Sequence, residues 1–286
     1  MIKKEDIVGL YKKLVTQVPP YIESAINESI KKETQNSLAW EAQRAYLLNI
    51  AIARNELIPI CQDTGIPKFL IKLPKGYSTQ EVKNIILEAM PIATEEAYAR
   101  QSGIDPLSKK EMGNEGITTF YINEWNKEYP KISLLLKGGG SENASQLFSL
   151  PDQSINADRD YEGIKRCAEY IIKNKVTSAC PPVILTLGIG GTRDKAIESS
   201  QRLLFRPWGE KNSDKELGQL EKDILELGNN SNIGAQGFGG KTTLFDVRAS
   251  KLPTHIASFF VDVSVNCWVY RMGNLSYETG TAKFSW

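Results

Sequence analysis

Near the start of the chain, apolar residues recur every three or four positions. Ile7, Leu10, Tyr11 and Leu14 share one face at helical spacing. Pro19-Pro20 breaks that helix, and Pro20 is suited to open the next, since a first-turn residue has no intrahelical N–H bond to lose. Asn36 or Ser37 is placed to cap a longer helix reaching about Asn55. Residues 1–56 therefore read as a helical layer.

The pattern then becomes mixed. Phe69–Leu73, Ile117–Ile122, Ile132–Leu136, Val183–Leu187, Thr242–Val247 and Ile256–Val269 read as strands. Thr79 can cap a helix that carries Val82, Ile85, Ile86 and Ala89 toward a core. Helical patterns also cover Tyr161–Lys173, Arg193–Leu204 and Leu217–Leu227. Residues 101–116, rich in Gly, Pro, Ser and charge, read as loop, and so do Gly188–Gly191 and Gly234–Gly240. The expectation is an α/β fold with mixed β-sheets surrounded by helices behind a helical N-terminal segment. No internal repeat or long linker divides the chain, so residues 1–286 read as one domain.

Composition narrows the function classes. Thirty-five Lys and Arg against 34 Asp and Glu imply no large positive field, which argues against a nucleic-acid binder. The charged start, Met1-Ile2-Lys3-Lys4-Glu5-Asp6, lacks the apolar stretch of a signal peptide, and no run is long enough to span a bilayer. A cytoplasmic, reducing location is expected. Four cysteines are too few for a disulfide scaffold, and no CxxC pair points to structural zinc.

Three of the thiols stand in unusual settings. Cys61 opens Cys61-Gln62-Asp63-Thr64-Gly65, Cys180 directly precedes Pro181-Pro182, and Cys267 ends an apolar run. Three separated thiols can hold an iron–sulfur cluster and leave one iron open as a Lewis acid, although spacing alone does not establish a metal site. For each thiol taken singly, an inert buried cysteine is the plainer alternative. Cys167, inside a helical pattern, reads as a packing or exposed thiol.

The remaining motifs have two readings each. Asp63 stands either as a carboxylate beside a metal or as an Asx-turn with Thr64-Gly65. His255, the only histidine, is a proton shuttle, a carboxylate partner or a structural residue. Gly138-Gly139-Gly140 allows close backbone approach to an anion, or else a sharp turn. Gly188-Ile189-Gly190-Gly191 fails a dinucleotide fingerprint, because Arg193 stands where the third glycine belongs. Ala235–Thr242 fits a relaxed phosphate loop. Its context argues against nucleotide binding, because no strand precedes it and an extended segment follows.

In combination these segments resemble the class I, iron–sulfur-dependent fumarase family, which also contains L-tartrate dehydratase. The resemblance runs from about Leu57 to Arg271. It rests on Pro59-Ile60-Cys61-Gln62-Asp63-Thr64-Gly65, Lys137-Gly138-Gly139-Gly140-Ser141-Glu142-Asn143, Ala179-Cys180-Pro181-Pro182, Gly188-Ile189-Gly190-Gly191-Thr192, Gly237-Phe238-Gly239-Gly240-Lys241-Thr242 and Pro253-Thr254-His255, followed by Cys267.

The resemblance implies a [4Fe–4S] cluster on Cys61, Cys180 and Cys267 with one open iron. It implies Asp63 as proton donor or acceptor, with Gln62, Gly138, Gly139 and Gly140 facing a small dicarboxylate. His255 would contact a substrate carboxylate across a dimer interface, and Arg100 aligns with a carboxylate-binding arginine, although Gln101-Ser102-Gly103 departs from the family's sequence there. The family's mobile β-rich region has no counterpart, which implies an α subunit completed by a β polypeptide in a symmetric dimer of αβ units. The implied activity is hydration of fumarate to (S)-malate, with tartrate dehydration as the alternative. A non-catalytic cluster or redox-sensing protein is the alternative from another class.

Overall fold

The computed structural model describes residues 2–286. In chain order the elements are α1 (Lys4–Thr16), α2 (Pro20–Ile30), α3 (Leu38–Glu56), β1 (Ile66–Pro74), α4 (Thr79–Glu96), β2 (Thr119–Trp125), β3 (Lys131–Lys137), α5 (Gly139–Ala144), β4 (Gln146–Ser149), α6 (Tyr161–Asn174), β5 (Val183–Gly190), α7 (Arg193–Leu203), α8 (Lys215–Asn229), β6 (Leu244–Leu252), β7 (Phe260–Asn266), β8 (Arg271–Ser276) and β9 (Lys283–Ser285). The architecture is α/β with a helical N-terminal segment, as the hydrophobic pattern predicts. Pro20 is the first residue of α2. Ser37 caps α3 by accepting the Trp40 N–H at 3.3 Å. Ser78, one residue before the expected Thr79, caps α4 through the Glu81 N–H.

Two compact units form. The first comprises residues 1–23, 47–139 and 269–286; the second comprises residues 24–46 and 140–268. In the first, the strand order is β2-β1-β3-β8-β9. Strands β1 and β2 are parallel and joined through α4, whereas β3 and β8 pair antiparallel. The predicted face of α1 is buried, with Ile7, Leu10, Tyr11 and Leu14 in one core with Phe69, Ile86, Met90 and Leu134. Strands β8 and β9 were not expected from the sequence. Residues 271–276, Arg-Met-Gly-Asn-Leu-Ser, have weak strand propensity and become a strand through their ladder with β3.

The second unit has strand order β4-β7-β5-β6. Every residue of β5 is buried, as expected of a strand covered on both faces. The expected loop at Gly188 is a correction: β5 continues to Gly190, because β6 pairs with it on one edge and β7 on the other. Gly188 serves close packing. A Cβ there would fall 2.0 Å from the Ala196 carbonyl oxygen of α7 and 2.8 Å from the Ser200 nitrogen. Gly188→Ala is therefore expected to push α7 off the sheet and to lower stability by about 1–3 kcal/mol, read as a shifted denaturant midpoint at unchanged m-value.

Candidate active site

In the first unit, the Cys61 loop follows α3 and leads into β1. Asn49 of α3 donates to the Ile60 carbonyl at 2.8 Å, and the Ile60 N–H reaches the Val15 carbonyl at 3.0 Å. These bonds fix the entry to Cys61, which is half-buried. Asp63 is half-buried with both oxygens engaged: Oδ1 accepts the Gly65 N–H at 3.1 Å, and Oδ2 accepts the Gly139 N–H at 2.7 Å. The first bond is the Asx-turn alternative realised. The second ties the loop to the glycine run after β3, 76 residues away in sequence.

Arg100 is brought to the same place. Thr64 Oγ1 accepts the Arg100 N–H at 3.1 Å, and the buried Asn114 donates to the Arg100 carbonyl at 3.0 Å. The Arg100 side chain is exposed, as is that of Gln62. Arg271, invisible to the motif reading, sits beneath the loop at 1% exposure and donates through Nη2 to the Asp63 carbonyl at 3.0 Å. Gly65 (φ +93°) leaves the space that this guanidinium needs, since a Cβ would lie 2.9 Å from Nη2.

In the second unit, Cys180 and Cys267 are drawn together. Cys180 adopts φ +53°, a left-handed conformation that a non-glycine residue holds only under constraint. The constraints are visible. The Trp268 N–H approaches the Cys180 carbonyl at 3.4 Å, and the Pro181 carbonyl accepts both the Tyr46 hydroxyl (2.9 Å) and the Gln236 N–H (2.9 Å). Tyr46 stacks on Trp268 with ring centroids 4.1 Å apart. Burial pushes the Tyr46 phenol far above its ordinary range; hydrogen bonding with Gln236 opposes this, and the Cys180 and Cys267 sulfurs add to it. Tyr46 thus braces the residues that follow both cysteines, Pro181 and Trp268, a role no motif announced, because within α3 it reads as one more position on a buried face.

The glycine run supports this pair. The Cys267 N–H donates to Ser141 Oγ at 3.1 Å, and the Val265 N–H donates to Ser145 Oγ at 3.0 Å. A Cβ on Gly140 would press to 3.1 Å of the Ser178 carbonyl. The sequence reading also missed that Gly139 opens a short helix, α5, in place of a plain turn.

His255 lies on the exposed loop between β6 and β7, where its Nδ1 accepts the Ala257 N–H at 3.1 Å. Cys167 is different from the other thiols. It is wholly buried on α6, and burial pushes its pKa up to about 12. In metal-free protein, a thiol reagent is expected to label Cys180 first and Cys167 only on unfolding, which mass mapping of the labelled peptides would read.

The structure also disposes of the phosphate-loop alternative. The N–H groups of Lys241 and Thr242 are already taken by the Glu33 carboxylate, at 2.9–3.2 Å, and β6 follows where a phosphate loop needs a helix. Among the described residues, no three His, Cys, Asp or Glu side chains converge on a position for a metal ion. Among the described residues, no helix is long and apolar enough to cross a membrane.

Residues 4–276 match the family model described as Fumarate hydratase (Fumerase). The chain is 33% identical over 285 residues to a Geobacillus stearothermophilus protein named class I fumarate hydratase, covering 98% of this chain and 55% of that protein. It is 34% identical over 274 residues to a Methanocaldococcus jannaschii protein named L(+)-tartrate dehydratase subunit alpha, covering 93% of this chain and 94% of that one. The L(+)-tartrate dehydratase subunit alpha of Escherichia coli K12 is 27% identical over 225 residues, or 76% of this chain and 72% of that subunit.

Proposed function

The chain belongs to the fumarate hydratase family, and on that premise we propose that it is the α subunit of an iron–sulfur hydro-lyase that adds water reversibly to fumarate. The observation that carries the reading is the convergence on one unit of Asp63, the Arg100 backbone and the Gly139 N–H. A trans dicarboxylate needs a proton carrier beside an anion-binding cation, and the Gly139 N–H holds that carrier, Asp63, in place.

Cys61, Cys180 and Cys267 would hold the cluster. The donor set fits it: sulfur is the preferred ligand of iron–sulfur centres, and the backbone around Cys180 is held in a costly conformation. When bound, a cluster with three cysteine ligands supplies a Lewis-acid iron that stabilises hydroxide entering or leaving the substrate.

The chain's own groups do the rest. In hydration, the Asp63 carboxyl gives a proton to one alkene carbon as hydroxide adds to the other; in dehydration it takes that proton back. Its two backbone N–H partners orient the carboxylate and leave lone pairs for the proton. Gln62 and Arg100 bind the substrate's carboxylates, with Gly138 and Gly140 shaping the loop, and the His255 side chain offers a further N–H.

A β polypeptide would complete the site, a reading supported by the relatives named L(+)-tartrate dehydratase subunit alpha. Tartrate dehydration to oxaloacetate is the second reading, favoured by the relative named as a tartrate dehydratase α subunit, which the chain matches over 94% of its length. The test is anaerobic assay of the chain with and without a β polypeptide. Loss of fumarate absorbance only with the partner supports the first reading, and oxaloacetate formed from tartrate alone supports the second. Inactivity toward both, with the partner present, overturns the hydro-lyase assignment.

A further inference from the structure

The loop at residues 253–259 has no ladder partner of its own, and its residues up to Ala257 are exposed. One side chain from outside it makes two tertiary bonds to its backbone. Arg159 Nη1 donates to the Ile256 carbonyl at 3.3 Å and Nη2 to the Ala257 carbonyl at 3.1 Å, while Nε donates to the Leu150 carbonyl at 2.9 Å. Leu150 is in turn bound to the far end of the same loop, its N–H reaching the Phe259 carbonyl at 2.8 Å. A single planar guanidinium therefore ties the Ile256-Ala257 backbone, 97 and 98 residues from it, to the Leu150 carbonyl nine residues away.

Ala257 is the shared element. Its carbonyl is held by Arg159, and its N–H donates to His255 Nδ1 at 3.1 Å. Inside the loop, the Ser258 N–H donates to the His255 carbonyl and Thr254 Oγ1 to the Ser258 carbonyl, both at 2.9 Å, closing a tight turn around the histidine. With Nδ1 committed as an acceptor, the neutral ring carries its N–H on Nε2.

We propose that Arg159 is a positioning residue for His255: by fixing the Ala257 peptide, it sets the histidine's tautomer and presents Nε2–H as a donor to an anionic partner. That the partner is a substrate carboxylate rests on the function proposed above; the positioning does not. Arginine suits the task because its fork offers donors in three fixed directions, whereas a lysine ammonium is a point charge that cannot span the same carbonyls.

His255 is the only histidine, so histidine-specific nitrogen-15 labelling of the full chain gives ring signals that need no assignment. The natural protein is expected to show an unprotonated Nδ1 and a protonated Nε2. In Arg159→Met, the two ring nitrogens are expected to move toward the averaged pattern of a solvated imidazole. Arg159→Lys, which keeps the charge, is expected to behave similarly. With the β polypeptide present, KM for the dicarboxylate should rise on the order of tenfold with kcat nearly unchanged, the mark of a lost binding contact. Unchanged ring signals in both variants overturn the proposal. Altered ring signals with unchanged KM uphold the positioning and remove His255 from the substrate site.

Discussion

Cys180→Ser is expected to leave the fold intact, to lower cluster iron and to reduce hydration by roughly two to four orders of magnitude, the scale of a Lewis-acid contribution of several kcal/mol. The backbone at this position is held independently of the sulfur. The Cys180 carbonyl meets the Trp268 N–H, and the next carbonyl takes the Tyr46 hydroxyl and the Gln236 N–H. Serine therefore finds the same left-handed backbone waiting, but its hydroxyl is a harder donor and stays protonated at neutral pH. Cys167→Ser is the matched control. That thiol is buried in the core of the second unit, so its loss is expected to lower stability by about 1 kcal/mol and to leave iron content unchanged. Iron and sulfide analysis of the two variants, beside their circular dichroism, separates a lost ligand from a lost fold.

Asp63→Asn is expected to cut kcat by roughly two to four orders of magnitude while costing only about 1–3 kcal/mol of stability. The carboxylate has two structural bonds, to the Gly65 and Gly139 N–H groups. Asparagine keeps one acceptor and turns an NH2 toward the other N–H, so one bond is lost and a donor is left facing a donor. If Asp63 served only to build its turn, activity would fall in step with stability and recover when the protein is stabilised by cooling or osmolyte. A proton carrier shows the opposite: a folded protein, at a temperature well below its transition, that binds the dicarboxylate and hardly turns it over. The kcat of the variant against its denaturation midpoint distinguishes the two.

The helical start of the chain was legible because α1 obeys a simple periodicity and α2 begins on a proline. The cores of β1, β3, β5 and β7 were legible as apolar runs. Short strands were not: β4, β8 and β9 are made by their neighbours' ladders, and Gly273 and Asn274 in β8 carry no local strand signal. Gly188 and Gly190 read as a loop because glycine punctuates both loops and crowded strands; only the nearby Ala196 and Leu252 carbonyls reveal which.

The site itself divides the same way. Cys61, Asp63, Cys180 and Cys267 stood out in sequence, since their neighbours are unusual. Tyr46, Ser141, Arg159 and Arg271 did not, because each acts through a backbone group distant in sequence that only folding brings near. The glycine loop at residues 234–240 shows how context corrects a motif: a phosphate loop is set aside in sequence because an extended segment follows, and β6 does follow. The two amides that follow the loop, Lys241 and Thr242, do hold an anion, and the anion is the chain's own Glu33.

The central claim is that Cys61, Cys180 and Cys267 together hold an iron–sulfur cluster with an open iron. The most direct test is strictly anaerobic reconstitution of the full chain, followed by iron and sulfide analysis and by electron paramagnetic resonance before and after addition of the dicarboxylate. The account predicts a [4Fe–4S] complement whose reduced spectrum changes when the dicarboxylate is added, and whose loss follows serine replacement of any of the three cysteines but not of Cys167. A chain that takes up no iron under these conditions, or one that loads fully without Cys180, would contradict it.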